Sequence, residues 1–181
     1  MQHLLNLSLA ELRQWLADQG LPAYRAAQIH KWIYEKRSDL PKELRERLAA
    51  EFTIFSSTVA AHKTAEDGTE KLLLEWPDGH RIECVLIREG KRRTICISTQ
   101  VGCAMGCVFC ASGLDGVARN LTTGEILEQM LLLNRIQSAE ERLSNIVVMG
   151  MGEPLANLDR LLPALEQAGK PEGLGIGGRH I

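Results

Sequence analysis

Between Ser8 and Gly20 the apolar residues fall at Leu12, Trp15 and Leu16, the spacing of one helix face. Ser8 stands three residues before Glu11, which predicts a capping box, and Leu7 with Leu12 predicts the apolar staple around it. Gly20 predicts the end of that helix. A second helix is expected over residues 23–35, burying Ala27, Ile29 and Ile33. A third should begin near Pro41, a residue suited to a first turn, and run through Leu44 and Leu48. Residues 1–52 thus read as a small helical accessory unit.

From about Thr53 the pattern turns to strands. Glu70 to Trp76 and His80 to Arg88 flank Pro77-Asp78-Gly79, which is hairpin turn chemistry, so residues 53–91 read as a β-hairpin extension. Glu89-Gly90-Lys91-Arg92-Arg93 reads as a solvated connector. Residues 92–181 then alternate: strand Thr94 to Ser98, a capping box at Thr122 and Glu125 opening an apolar helix, strand Asn145 to Met149, and a helix from Leu158 to Ala168. That order predicts an α/β fold, a parallel sheet with helices packed on it. Gly175 to Ile181 reads as the start of a third strand, making the α/β unit incomplete. No internal repeat or low-complexity segment is present.

Composition narrows the class. A hydrophobic content of 45% is that of a globular protein. A formal net charge of -2 argues against a globally basic nucleic-acid binder but leaves room for a local basic patch. No stretch approaches the roughly 20 apolar residues that cross a bilayer, so no membrane partner is expected. The N-terminus lacks the charged and apolar regions of a secretory signal. The 5 cysteines are an odd number without an export signal, which favours metal or redox use over a disulfide framework; a cytoplasmic setting is expected.

Candidate chemistry concentrates in Gln100-Val-Gly-Cys103-Ala-Met-Gly-Cys107-Val-Phe-Cys110-Ala-Ser-Gly113. Thiolates in this spacing can converge on one iron–sulfur cluster. Supplying three protein ligands leaves one iron open, the arrangement that separates a reactive metal site from a structural one. Gly102 and Gly106 let the backbone wrap closely. A structural zinc site would want a fourth ligand, and no further Cys or His follows before His180. A ferredoxin-type centre would want a fourth cysteine. A second glycine-rich loop, Met149-Gly-Met-Gly152-Glu153-Pro154, follows the next predicted strand, where α/β sheets bind ligands. Its freed backbone groups and the Glu153 carboxylate suit a cationic amine; alone, it is equally an ordinary turn with Pro154 at a helix start.

The cysteine spacing with its aromatic Phe109 resembles the radical S-adenosylmethionine (SAM) superfamily. Thr94-Ile-Cys96-Ile-Ser-Thr-Gln-Val-Gly-Cys103, Asn120-Leu-Thr-Thr-Gly-Glu-Ile and Met149-Gly-Met-Gly-Glu-Pro-Leu are together similar to the RlmN/Cfr family of radical SAM RNA adenine methyltransferases, with the RlmN type favoured. The resemblance covers nearly the whole chain, as an N-terminal half. It implies an incomplete radical-SAM-type (βα) partial barrel over 92–181 behind the helical unit and hairpin. It implies a 4Fe-4S cluster on Cys103, Cys107 and Cys110, and SAM held at Gly152 and Glu153. It further implies carbon-2 methylation of adenine in 23S rRNA and tRNA, through a methyl-cysteine and a covalent RNA–protein intermediate. In this scheme Cys96 takes the resolving position, forming a disulfide with the methyl-carrying cysteine, and Glu83 takes the proton-accepting one. Read without the family, Cys96 is a small apolar strand residue and Glu83 a solvent-facing one. Cys84 matches no functional position and reads as structural.

The same resemblance implies RNA and a flavodoxin-like electron donor as partners of a monomeric enzyme. Lys91-Arg92-Arg93, with Lys31, Tyr34, Lys36 and Arg37, are candidates to contact phosphates and stack bases. The family's methyl-carrying cysteine is not among the cysteines present, so the expectation is a chain that binds a cluster without completing turnover. Other functions compatible with the sequence are a carbon-8, Cfr-type methyltransferase, a glycyl-radical activase, or a non-catalytic iron–sulfur or zinc module.

Overall fold

The structure, a computed structural model, describes residues 1–35, 40–138 and 140–181. A short strand β1 (Gln2–His3) leads to helix α1 (Leu9–Asp18). Ser8 caps α1: its hydroxyl accepts the Glu11 N–H at 3.3 Å, and the Glu11 carboxylate accepts the Ser8 N–H at 2.7 Å. Helix α2 (Arg25–Tyr34) buries Ala26, Ile29, His30, Ile33 and Tyr34. The expected Ala27 is exposed; it lies one residue, about 100° of helix, beyond Ala26, and Ala26 with Ile29 and Ile33 makes the i, i+3, i+7 stripe. Helix α3 (Lys42–Glu51) starts after Pro41, which is its N-cap and not a first-turn residue. Strand β2 (Phe52–Thr53) pairs in parallel with β1 and so closes this unit end to end.

Strands β3 (Thr58–Thr64), β4 (Glu70–Glu75), β5 (Arg81–Glu89) and β6 (Arg92–Cys96) follow as an antiparallel meander. Glu89 pairs with Arg92, so the connector expected at 89–93 is a tight hairpin turn. A small hairpin, β7 (Gln100–Gly102) and β8 (Val117–Asn120), brackets the cysteine loop. Helix α4 (Thr123–Arg135) opens on the Thr122–Glu125 capping box, then come β9 (Asn145–Val147) and α5 (Leu158–Gly169).

The main sheet has five strands in the order β3-β4-β5-β6-β9. Only β6 and β9 are parallel, joined across α4; the other neighbours are antiparallel. The α/β class is therefore observed, but as a mixed sheet. The expected third strand at 175–181 is instead a 3-10 turn at Gly178–His180. Its glycines offer no β-branched side chains to favour a strand.

Alternation along the strands gives the sheet two unlike faces. On one, Leu72, Leu74, Ile82, Cys84, Leu86, Ile95, Ile97 and Ile146 are at most 1% exposed and share a core with Ile126, Leu127 and Met130 of α4. The other carries Lys71, Leu73, Glu83, Val85, Cys96 and Val147, all partly exposed.

A buried carboxylate ties the helical unit to this core. Glu128 of α4 is fully buried and accepts from His3 Nε2 at 3.0 Å. It also accepts the Ser56 N–H and hydroxyl at 3.0 and 2.8 Å, and the Ser57 N–H at 2.8 Å and hydroxyl at 2.5 Å. One side chain thus fixes β1, the 54–57 segment and α4 together.

Candidate active site

Two loops leave the same end of the sheet, one after β6 and one after β9, as the parallel pairing of these strands requires. Their roots are bound to each other. Gly150 N–H donates to Ile97 C=O at 3.0 Å, and Thr99 N–H to Met151 C=O at 2.8 Å. Met151 N–H donates to the Ser98 hydroxyl at 2.8 Å, and Glu153 N–H to Gln100 Oε1 at 2.8 Å. Glycine permits this approach. A Cβ at Gly150 would lie 2.6 Å from Ser98 Oγ and 2.7 Å from Ile97 O, and one at Gly152 would lie 2.7 Å from Gln100 N. Gly150→Ala is expected to destabilise the chain by about 1–3 kcal/mol, because backbone must shift to admit the methyl; urea denaturation checks this.

Beyond these roots the cysteine loop projects outward. Cys103 N–H donates to Gly116 C=O at 2.9 Å, closing the loop's neck, and Cys110 N–H donates to Cys107 C=O at 3.0 Å. Gly102 sits at φ +76 with its missing Cβ pointing 2.0 Å from Gly116 O, so no other residue fits there. Hydrogen bonds from the Ser112 side chain and then its backbone hold the Cys110 thiol below its ordinary range, favouring thiolate. All five cysteines are free, so no disulfide forms among them. Among the described residues no group of three or more His, Cys, Asp or Glu side chains is gathered to hold a metal. What fits a cluster is the donor set and its frame: thiols from one closed, partly exposed loop, one of them biased to thiolate.

Glu83 and Cys96 share the open face of the sheet. Val85 is the register partner of Cys96, which makes Glu83 its diagonal neighbour at about 7–8 Å between Cα atoms. Glu83 pairs with Lys71 at 2.9 Å. Burial raises the Cys96 thiol, against a backbone hydrogen bond from Met149. Cys84 lies on the opposite, buried face, where burial pushes its thiol far up. Glu153 caps the 3-10 turn Pro154–Asn157, its carboxylate accepting the Leu155 N–H at 2.9 Å. Gly152 and Glu153 are thus brought directly beside the root of the cysteine loop.

Several residues here carry no sequence motif. Gln129, Ser98, Gln100 and Asn157 are all buried and hold loop backbone. Their only signal is polarity in otherwise apolar surroundings, as in the Glu128-Gln129 pair between Leu127 and Met130.

The proposed nucleic-acid contacts fare unevenly. Tyr34 is only 4% exposed and stacks on His30, so it is unavailable to stack a base; its place on the buried stripe of α2 is the reason. Arg93 is held by Glu141, Nε to Oε1 at 2.8 Å. Lys91 and Arg92 are exposed, and Lys31 pairs loosely with Glu35 at 3.7 Å. Lys36 and Arg37 lie outside the described residues. No helix among the described residues is long and apolar enough to cross a membrane.

The chain has relatives among known proteins. A family model described as the ribosomal RNA large subunit methyltransferase N-terminal domain matches residues 2–54. A "Probable dual-specificity RNA methyltransferase RlmN" of Rhodopirellula baltica is 56% identical over 99% of this chain and 50% of its own length. Its counterpart in Bacillus subtilis is 43% identical over 97% of this chain and 51% of its own. A crystal structure of a radical SAM methyltransferase from Sphaerobacter thermophilus superposes with a TM-score of 0.93 at 40% identity, covering 100% of this chain and 56% of that one. The chain spans about half the length of the curated relatives it matches. The chain is thus similar to RlmN-type RNA methyltransferases over about half of their length, and its residues 2–54 match the N-terminal domain of that family.

Proposed function

We propose that this chain forms the cofactor-binding part of a radical SAM methyltransferase acting on RNA adenine. The observation that carries the reading is the junction of the two loops: the cysteine loop and Gly152-Glu153 leave adjacent strands and are hydrogen-bonded at their roots. In this reading the sheet and its helices are a partial (βα) barrel, and residues 1–52 an accessory domain that meets RNA. Cys103, Cys107 and Cys110 would hold a 4Fe-4S cluster, and Gly152 and Glu153 the methionyl ammonium of SAM. When bound, these groups would supply one-electron chemistry, by which a methyl-derived carbon radical can add to an adenine carbon that lacks nucleophilic character.

The chain's own residues then have separate tasks. The loop junction orients the cofactor relative to the open sheet face. Glu83, on that face and paired with Lys71 at 2.9 Å, accepts a proton from the adduct carbon. Cys96, one diagonal away, attacks the sulfur of the methyl-carrying cysteine as a thiolate: an S–S bond forms, the S–CH2 bond to the base breaks with its electron pair on the methylene carbon, and protonation of that carbon completes the methyl group. Burial raises the pKa of the Cys96 thiol, so the thiolate must be formed before it attacks. The substrates proposed are 23S rRNA and tRNA, methylated at carbon-2, with a flavodoxin-like reductant, in a monomeric cytoplasmic enzyme.

Mass spectrometry of nucleosides from cells with and without the gene encoding this chain tests the reading. The expected result is loss of 2-methyladenosine from both RNAs on deletion. Unchanged RNA would contradict the methyltransferase reading, and loss of 8-methyladenosine would move it to the carbon-8 type.

A further inference from the structure

The place where β6 leaves the sheet has an unusual construction. Val85 faces Cys96 in the ladder, so continuing the register would set Ser98 opposite Glu83. The ladder stops first. Both backbone groups of Ser98 are taken by the side-chain amide of Gln129: Ser98 N–H donates to Oε1 at 2.8 Å, and Nε2 donates to Ser98 C=O at 3.0 Å. The amide stands in for a neighbouring strand, and it lies on α4, not in the sheet. Freed from the ladder, Ser98 turns its hydroxyl back to Glu83, donating to the Glu83 C=O at 2.6 Å while accepting Met151 N–H at 2.8 Å. Ser98 and Gln129 are both fully buried, so water does not replace either partner.

We infer that Ser98, held by Gln129, is a positioning residue that sets the Gly150–Glu153 loop against the strand carrying Glu83. This rests on the function proposed above and adds to it a means of registering the cofactor loop with the candidate base. One oxygen atom joins the two elements. Its orientation is fixed from behind by an amide bound to both sides of its own residue. Removing the hydroxyl leaves the Met151 N–H and the Glu83 C=O without this shared partner, while the loop keeps its flanking contacts to Ile97, Thr99 and Gln100. The cluster frame, closed separately between Cys103 and Gly116, is not touched.

The test uses the chain reconstituted anaerobically with iron and sulfide, reduced, and titrated with SAM while the electron paramagnetic resonance signal is followed. Ser98→Ala and Gln129→Met are expected to match the wild type in iron content and in the signal without SAM. Both should need about tenfold more SAM for the same spectral change. Ile126→Val, a core truncation on α4 that lowers stability only, is expected to leave the SAM titration unchanged. In Ser98→Ala the Met151 amide should also exchange hydrogen faster while the β4 and β5 amides keep their protection. A responsive wild type with an unchanged dissociation constant in Ser98→Ala would overturn the positioning role alone, as would equal weakening in Ile126→Val. A wild-type signal indifferent to SAM would overturn the proposed function, and this inference with it. Should Ser98→Ala not fold, Gln129→Met decides by the same titration.

Discussion

Replacing Glu128 by alanine is expected to cost about 3–5 kcal/mol of folding stability, the scale for removing one side of a buried, charge-assisted network. The substitution strands His3 and the donors of Ser56 and Ser57, all of which converge on this carboxylate. Urea denaturation should show a midpoint lower by on the order of 1–2 M. The same carboxylate predicts an acid dependence. Burial alone would raise its pKa, but the hydrogen bonds from His3, Ser57 and Ser56 outweigh it and the net direction is down from 4.5. A depressed folded pKa contributes stability that is complete above 4.5 and is lost as pH falls through the lower, folded value. The wild type should therefore lose stability on acidification in that range, and Glu128→Ala should lose less. A variant as stable as the wild type would mean that the N-terminal unit is held by its other contacts, its apolar packing and the Gly124 N–H donated to Asn6 Oδ1 at 2.6 Å.

The second large effect concerns the cysteine loop. Cys107→Ala should abolish iron uptake, from about four irons per chain to essentially none, because three thiolates are already the minimum for a cubane. Cys84→Ala should take up iron normally, since Cys84 lies on the buried face of β5, away from the loop. Metal analysis after anaerobic reconstitution reads both. Iron retained in Cys107→Ala, or lost equally in Cys84→Ala, would count against the assigned ligands.

How much of this was legible in the sequence depends on where each signal resides. The capping boxes at Ser8 and Thr122 were legible because one side chain and one backbone group three residues apart suffice. The β6–α4–β9 unit was legible because its strands are short apolar runs separated by a strongly apolar helix. Strand β3 was not, since Thr58–Thr64 is an edge strand exposed along most of its length and carries little alternation. The β7–β8 hairpin escaped because its strands are separated by the whole cysteine loop, leaving no short turn to mark the pairing. At the site, the cysteines and the second glycine loop were legible as motifs. The junction between them was not: Ser98, Gln129 and Gln100 act through contacts between residues distant in sequence, and no local spacing encodes those. Tyr34 illustrates the converse, a residue whose type suggested base stacking and whose position on the helix stripe buries it.

The central claim is that the thiols of Cys103, Cys107 and Cys110 carry a cluster with one iron free for SAM beside Gly152-Glu153. Electron paramagnetic resonance of the reduced, reconstituted chain, recorded with and without SAM, tests this most directly. A low-temperature cluster signal that changes shape and position on adding SAM is the predicted result. A protein that takes up only zinc, or a signal that SAM leaves unaltered, would contradict it.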